Sequence, residues 1–310
     1  MVSNPPFLPL LAWLLGKAQQ RPYALLEWDI YPNILAPMGL AGPGHPLYRL
    51  WAAAHKRALR RAELVVTIGE QMAATLRRLA EDPDLPVAVI PNWVDTVWIR
   101  PQPRGENPFA REQGFTDQLV VMYSGNLGAT HAIETIVAAA EALRDRADIQ
   151  FVIIGEGSKR PLVEAALAAG RLPTTRLLPY QPADRLPYSL ASADVGIVTL
   201  AAGYEELSVP SKTYNLLAAG NALLGISQAP NDLASTIQAQ GCGANFAPDD
   251  AAGMAAWLKQ LAADRATLRQ YQVAARQAAE QCFSRTRCEA LMNRAILDWL
   301  DGARGAVKAD

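Results

Sequence analysis

The sequence predicts an α/β chain of two compact units, each a parallel sheet covered by helices. Three observations lead there. The chain has 310 residues, half of them hydrophobic and 19% charged, which is long enough to organise two hydrophobic cores rather than one. A stretch from Ile99 to Pro108 holds three prolines and a glycine with little apolar content, and that is linker chemistry. On either side, apolar runs without polar alternation are separated by segments of helical period. That pattern belongs to parallel strands buried on both faces.

In order, the first region reads as a helix over 7–19, a strand at 23–28, a helix over 45–62, a strand at 64–67, a helix at 70–80 and a strand at 87–91. Between Tyr31 and Pro46, four prolines and three glycines predict a loop. After the linker the alternation sharpens. Strands are expected at 119–124, 150–154, 176–178, 194–200 and 222–226. Helices are expected at 133–143, 160–169, 184–191 and 211–219. The chain from 250 to 300 reads as helical, and Cys288, Leu291, Met292, Ala295 and Trp299 form one apolar stripe near its end. The residues from Gly302 to Asp310 are expected to fray.

Composition narrows the function. Lys and Arg total 29 against 30 Asp and Glu, so no global field favours a nucleic-acid partner. Three cysteines at 242, 282 and 288 form no CxxC pair, which fits a reducing compartment and argues against a disulfide scaffold or structural zinc. The apolar run at 7–16 contains Pro9 and falls short of the roughly 20 residues that a spanning helix needs. Met1 to Pro6 carries no basic residue, unlike a signal peptide.

The chemistry is expected beyond the carboxyl ends of the second region's strands, where doubly wound sheets bind ligands. Gly125-Asn-Leu-Gly128 follows the strand at 119–124 and leads into a helix. Two glycines let backbone N–H groups approach an anion, and the helix start adds a favourable dipole. The spacing is neither a dinucleotide fingerprint nor a Walker loop, and a structural turn is the plainer reading. Ile154-Gly-Glu-Gly157 repeats the arrangement, with Lys159 and Arg160 at a helix start. Cations are disfavoured there by the helix dipole, and a bound phosphate would reverse that penalty; two solvated surface cations are the alternative. Pro210, Ser211 and Lys212 open a third helix, with Ser211 a candidate cap. Three such loops converge on one anionic ligand, best a diphosphate. Tyr180-Gln181-Pro182 could frame a flat base. His131 could donate to a phosphate or a sugar hydroxyl, or cap its own helix. Histidines 45 and 55 show no metal spacing.

In the first region, Glu27-Trp-Asp-Ile-Tyr-Pro32 closes a hydrophobic strand. Asp29 therefore emerges near the strand's carboxyl end, where it could accept a proton, bind a hydroxyl, or cap the loop. Arg49, Lys56, Arg57, Arg60 and Arg61 form a basic run with no acid among them. Like charges one turn apart suit a solvated face, or a face beside anionic lipid or a phosphate-bearing acceptor.

Taken together, Ser124-Gly-Asn-Leu-Gly128, Gly155-Glu-Gly157 with Lys159, Leu178-Pro-Tyr-Gln-Pro182, Ala193-Asp194, and Val209-Pro-Ser-Lys-Thr-Tyr214 through Gly220 resemble the donor domain of family 4 glycosyltransferases. The exopolysaccharide, colanic-acid and O-antigen branch is the most similar. Pro91-Asn-Trp-Val-Asp95 resembles that family's interdomain segment, and the loop carrying Asp29 resembles its aspartate–aromatic–proline loop. The resemblance runs from about residue 3 to 300. It implies the GT-B fold of two Rossmann-like domains. A partial acceptor-side domain would span 1–102 and a nucleotide-sugar donor domain 103–282. A helix and tail at 283–310 would cross back to the first domain. It implies a transferase that moves a sugar from a nucleotide-diphosphate sugar to a glycan or a polyprenyl-diphosphate-linked acceptor, with retention and no metal. Gly125, Asn126, Gly128, His131, Lys159, Arg160, Tyr180, Gln181, Ser211 and Lys212 would hold the donor. Asp29, Lys159 and Lys212 would serve catalysis. The setting would be cytoplasmic, against the inner face of the plasma membrane.

Two departures accompany the resemblance. The family's Glu-x7-Glu motif falls here on Leu207 and Asn215, with Glu205 and Glu206 out of register. The first domain is expected to be incomplete, with three strands and a long unpaired sheet edge. Either the gene start would lie upstream, or a separate chain would supply the missing part, or the protein would be a non-catalytic nucleotide-sugar-binding subunit; a homo-oligomer is also among the expected partners. Another nucleotide-sugar enzyme of the same fold, such as an epimerase, is the third reading.

Overall fold

The computed structural model describes residues 1–128 and 130–307, with side chains as far as 302. The chain divides into two compact units. The first contains residues 1–92, 202–209 and 285–310, and the second 93–201 and 210–284. The linker read at 99–108 lies within the second unit. Arg276 fixes it there by donating to the carbonyls of Thr96 and Ile99 as well as to that of Ala218.

In the first unit, α1 (Leu8–Gln19), β1 (Ala24–Glu27), α2 (Pro46–Arg61), β2 (Leu64–Thr67), α3 (Glu70–Ala80) and β3 (Val87–Val89) follow one another. The three strands form a parallel sheet in the order β1-β2-β3. The start of α2 is set by Pro46 at its first position and by His45, whose ring accepts from Leu47 N at 3.3 Å. Leu25, Val65, Leu59, Met72 and Leu76 are fully buried and make the core, to which Leu207 of the segment 202–209 belongs. One short segment lies along the outer edge of β1. Met1–Ser3 pairs beside it, with Ser3 N donating to Leu26 O at 2.7 Å and Leu26 N to Met1 O at 2.8 Å.

The second unit contains α4 (Pro108–Glu112), β4 (Leu119–Ser124), α5 (Ile133–Ala142), β5 (Ile149–Ile154), α6 (Arg160–Ala168), β6 (Thr175–Leu178), α7 (Leu186–Ala191), β7 (Val195–Thr199), α8 (Lys212–Ala219), β8 (Ala222–Ile226), α9 (Asp232–Gln240), β9 (Gly243–Phe246), α10 (Ala251–Ala263) and α11 (Arg265–Gln281). Its six parallel strands run in the order β6-β5-β4-β7-β8-β9. The order reverses between β4 and β7, the switch point where such sheets bind ligands. Register aligns the ends: Ser124 pairs with Ile154 and Ile154 with Leu178, so three carboxyl-end turns meet on one rim. β4 and β5 are buried almost throughout, as a sheet covered on both faces requires.

The last helix, α12 (Arg285–Val307), extends through residues expected to fray, and 308–310 lie outside the described residues. Its stripe from Cys288 through Leu291, Met292, Ala295 and Trp299 packs on Leu64, Val66 and Ile90 of the first unit.

Candidate functional site

The carboxyl-end rim of the six-stranded sheet is built from glycine turns that touch. The ladder continues past the strands: Gly125 N donates to Ile154 O at 2.9 Å and Gly155 N to Leu178 O at 3.0 Å. The first two turns then interlock through Leu127 N to Glu156 O and Lys159 N to Leu127 O, both at 2.8 Å. Only glycine fits this approach. At Gly155 (φ +149°) a Cβ would lie 1.9 Å from Gly125 O, and at Gly157 (φ +147°) 2.6 Å from Leu127 O.

Lys212, the first residue of α8, reaches into this rim. Its ammonium lies 4.4 Å from the centre of the Tyr123 ring and donates to the Tyr123 hydroxyl at 3.2 Å. That hydroxyl donates to Asn126 O at 2.6 Å, tying the lysine to the glycine turn. A Cβ on Gly125 would come within 2.5 Å of the ammonium. Among the described residues no carboxylate forms an ion pair with Lys212. Burial without a counter-anion pushes its pKa down from 10.5 to about 8.

Lys159 completes the cationic side. Its ammonium donates to His131 O at 2.7 Å and to Glu134 Oε2 at 2.8 Å. Burial raises the Glu134 carboxyl, but Lys159 outweighs it and holds the group below its ordinary value. His131 senses both lysines. Burial first, then the charges of Lys212 and Lys159, push its imidazole down to about 4 against a backbone bond at Gly128 that raises it. The ring is therefore neutral near pH 7 and can accept or donate one hydrogen bond without adding charge.

The other residues singled out from sequence take distinct places. Asn126 and Gly128 lie against each other, the Asn126 amide 2.7 Å from where a Cβ on Gly128 would stand. Arg160 sits on the rim but is engaged locally, donating to Gly155 O at 2.8 Å, Glu164 at 2.8 Å and Glu156 at 3.1 Å. Tyr180 is half exposed beside Gly155, and Gln181 donates to Pro179 O at 2.9 Å. Ser211 occupies the position before α8, but its side chain makes no capping bond. Tyr123, which the sequence reading missed, is the hub that joins Lys212 to Asn126. Its one signal was a lone hydroxyl-bearing aromatic in an aliphatic strand.

Asp29 belongs to the first unit, at the carboxyl end of β1. Burial, then the neighbouring Glu27, raise its pKa, so it is a stronger base than an ordinary aspartate. Glu27 is buried and meets the buried His55 at 3.2 Å, while its second oxygen has no hydrogen-bond partner among the described residues. His55 also lines a cavity of about 210 Å³ with Asn33 and Lys56. The out-of-register acids are explained here. Leu207 is buried in the first unit's core, and Glu206 accepts from Arg78 at 2.5 Å and Thr75 at 3.1 Å.

A larger cavity, about 610 Å³, opens at the amino ends of the second unit's strands, lined by Arg104, Asp194, Gly220, Arg269 and Arg276 among others. Its position argues against a ligand site of the switch-point kind. Arg104 is held by Asp194 and the carbonyls of Thr116 and Gln118, and Arg276 by the carbonyls named above, so both side chains act as structural ties. Among the described residues no group of three His, Cys, Asp or Glu side chains could hold a metal ion.

Comparison with known proteins matches residues 118–264 to the family described as Glycosyl transferases group 1, and residues 1–93 to the Glycosyl transferase 4-like domain. The chain is built from glycosyltransferase domains of the 4-like and group 1 families. It is 28% identical over 263 residues to the probable glycosyltransferase WbjE of Pseudomonas aeruginosa, covering 84% of this chain and 64% of that protein. It is 27% identical to the putative colanic acid biosynthesis glycosyl transferase WcaI of Escherichia coli K12, covering 71% of this chain and 54% of that protein. The chain thus spans between about half and two thirds of the length of these relatives. Among solved structures, HepE of Anabaena, crystallised with UDP, superposes with a TM-score of 0.78 at 15% identity, over 94% of this chain and 76% of HepE. That likeness establishes the GT-B fold, two Rossmann-like domains with parallel sheets, of which the first here has three strands and the second six.

Proposed function

We propose that the protein transfers a sugar from a nucleotide-diphosphate sugar to a glycan or polyprenyl-diphosphate-linked acceptor in surface-polysaccharide biosynthesis. One observation carries this reading: a half-buried ammonium, Lys212, stands without a carboxylate partner among the described residues where two glycine turns and Lys159 meet. A diphosphate placed there would meet the Lys212 ammonium and backbone N–H groups of the turns. As the glycosyl bond breaks, negative charge grows on the leaving phosphate, and preformed positive groups lower that barrier most. Lys212 and Lys159 are assigned that role, with Gly125, Asn126, Gly128, His131 and Ser211 lining the anion. Arg160 shapes the Gly155 turn. Tyr180, with an exposed ring beside Gly155, is assigned to the base together with Gln181.

Asp29 is assigned to the acceptor. Its raised proton affinity suits a group that binds a hydroxyl and takes its proton. Transfer with retention follows from the family resemblance. The names of WbjE and WcaI and the UDP bound to HepE support the substrate class. A cytoplasmic setting with peripheral membrane contact fits a lipid-linked acceptor, and no described helix is long and apolar enough to cross a membrane. The N-terminal domain boundary near 102 and the crossing helix from 283 remain part of this proposal, as does a separate chain that supplies the rest of the small domain, or a homo-oligomer.

The test is product analysis with a panel of nucleotide sugars, with and without polyprenyl-diphosphate sugars. Transfer reads as acceptor-dependent release of nucleoside diphosphate with a lengthened lipid-linked glycan. Conversion of the nucleotide sugar without an acceptor would instead favour an epimerase. Binding with no turnover under any acceptor would favour a non-catalytic subunit.

A further inference from the structure

Tyr123 stands beneath the donor rim and touches three of the residues assigned to it. It follows Leu119, Val120, Val121 and Met122 in β4 and is fully buried. The packing of the strand needs only an aromatic ring there, which phenylalanine would supply. The hydroxyl is additional, and a buried hydroxyl costs stability unless it finds partners. Both of its partners belong to the rim. It donates to Asn126 O at 2.6 Å and accepts from the Lys212 ammonium at 3.2 Å. The ring lies 4.4 Å from that ammonium and meets the His131 ring edge to face at 6.3 Å.

The direction of these bonds matters. A phenol has one proton, and the short bond to Asn126 O takes it. Burial raises the pKa of Tyr123, so that proton stays on the oxygen near pH 7. Only lone pairs are left to face Lys212, and they can accept from its N–H but cannot donate to a neutral amine. One N–H of the ammonium is thus directed at Tyr123. The ammonium itself stands 2.5 Å from where a Cβ on Gly125 would be, at the glycine turn that a diphosphate would approach. The other titratable side chains around the pair are His131, Tyr180 and, through His131, Lys159.

We propose that Tyr123 is a positioning residue of the donor site: its hydroxyl, anchored on the Asn126 carbonyl, orients Lys212 so that the ammonium's other N–H bonds face an incoming diphosphate. The proposal deepens the reading of this rim as a diphosphate site and rests on it. Without the hydroxyl, the lysine keeps the ring beneath it but loses the acceptor that fixes its direction and favours its charged form.

Tyr123→Phe tests this in two arms. Without ligand, acetylation of Lys212 by limiting acetic anhydride is followed against pH by peptide mass spectrometry. The wild-type midpoint is expected near pH 8, and the Tyr123→Phe midpoint lower by about half a pH unit or more. With UDP and GDP at pH 8, calorimetry should show binding weakened about three- to tenfold. Proton uptake on binding should exceed that of the wild type, because less of the free lysine is already charged. In a Lys212→Met background, Tyr123→Phe should cost no further affinity. Thermal unfolding verifies the fold; should phenylalanine disturb it, Tyr123→Met, an adaptable apolar filler, replaces it. An unmoved Lys212 midpoint, wild-type affinity and proton uptake, or a loss that adds fully to that of Lys212→Met would overturn the proposal, the last because it marks a merely structural role. Nucleotide binding by the wild type with an unmoved midpoint would defeat this proposal alone. A shifted midpoint in a protein that binds neither nucleotide would defeat the diphosphate reading and leave the hold of Tyr123 on Lys212 standing.

Discussion

The two units end their strands in opposite chemistry. At the rim of the six-stranded sheet, Lys212 and Lys159 stand over glycine turns, and the half-buried ammonium of Lys212 has no carboxylate partner among the described residues. At the end of the three-stranded sheet, Asp29 stands near a buried Glu27 that holds His55. Burial works on both, but with opposite consequence: it weakens the ammonium's hold on its proton and strengthens the carboxylate's. Under the proposed transfer, one region would receive an anion and the other a proton. The same parallel-strand architecture therefore supports either task, and the residues at the strand ends decide which.

Breaking the anion side should have the largest effect. Lys212→Ala is expected to lower turnover by about a thousandfold, the upper range for removing one preorganised electrostatic group. Steady-state kinetics checks it, with thermal unfolding to show the fold intact.

The same lysine should leave a mark on stability. Its folded pKa, about 8, lies below the ordinary 10.5, so between those values the unfolded chain binds the additional proton. Stability should rise with pH across that window, by up to about 3 kcal/mol from this one group. Denaturant titrations between pH 8 and 10 measure the slope, and Lys212→Met should remove that contribution.

The proton side is sharpened by Asp29→Asn. Turnover should fall about a hundredfold, while calorimetric affinity for the donor nucleotide stays unchanged. A matching loss of nucleotide affinity would blur the division of labour. Lys159→Ala should cost only about tenfold in turnover, because Glu134 already offsets part of its charge. The smallest effect is expected at Arg160, whose guanidinium is engaged by Glu156 and Glu164. Arg160→Gln should change nucleotide affinity by less than about threefold.

The two regions also differ in how much of them could be read in advance. In the second unit, runs such as Leu119-Val-Val-Met and Phe151-Val-Ile-Ile are so apolar that only a doubly covered strand accommodates them. The turns after them were visible because glycine is required there. β9 was overlooked because Gly243-Ala-Asn-Phe246 has neither an apolar run nor alternation, and each of its residues is only half buried. α9 had signals that went unused: Asn231 caps Ala234 N at 2.9 Å and Gly241 closes the helix in the left-handed conformation. The convergence of Lys159 and Lys212 was inferred from strand order, but burial of Lys212 and the bridging role of Tyr123 depend on packing that no local pattern encodes. Leu207 makes the same point. Its place in a motif frame suggested a missing acid, whereas its side chain serves the hydrophobic core of the first unit.

The most direct test of the anion rim is titration calorimetry of the full chain with nucleoside diphosphates at pH 8, in two buffers of different ionisation enthalpy. Lys212 is about half protonated there, and a bound diphosphate would favour its charged form. The account predicts binding accompanied by uptake of about half a proton, lost in Lys212→Ala. Binding with no proton uptake, or with uptake that survives the substitution, would contradict it.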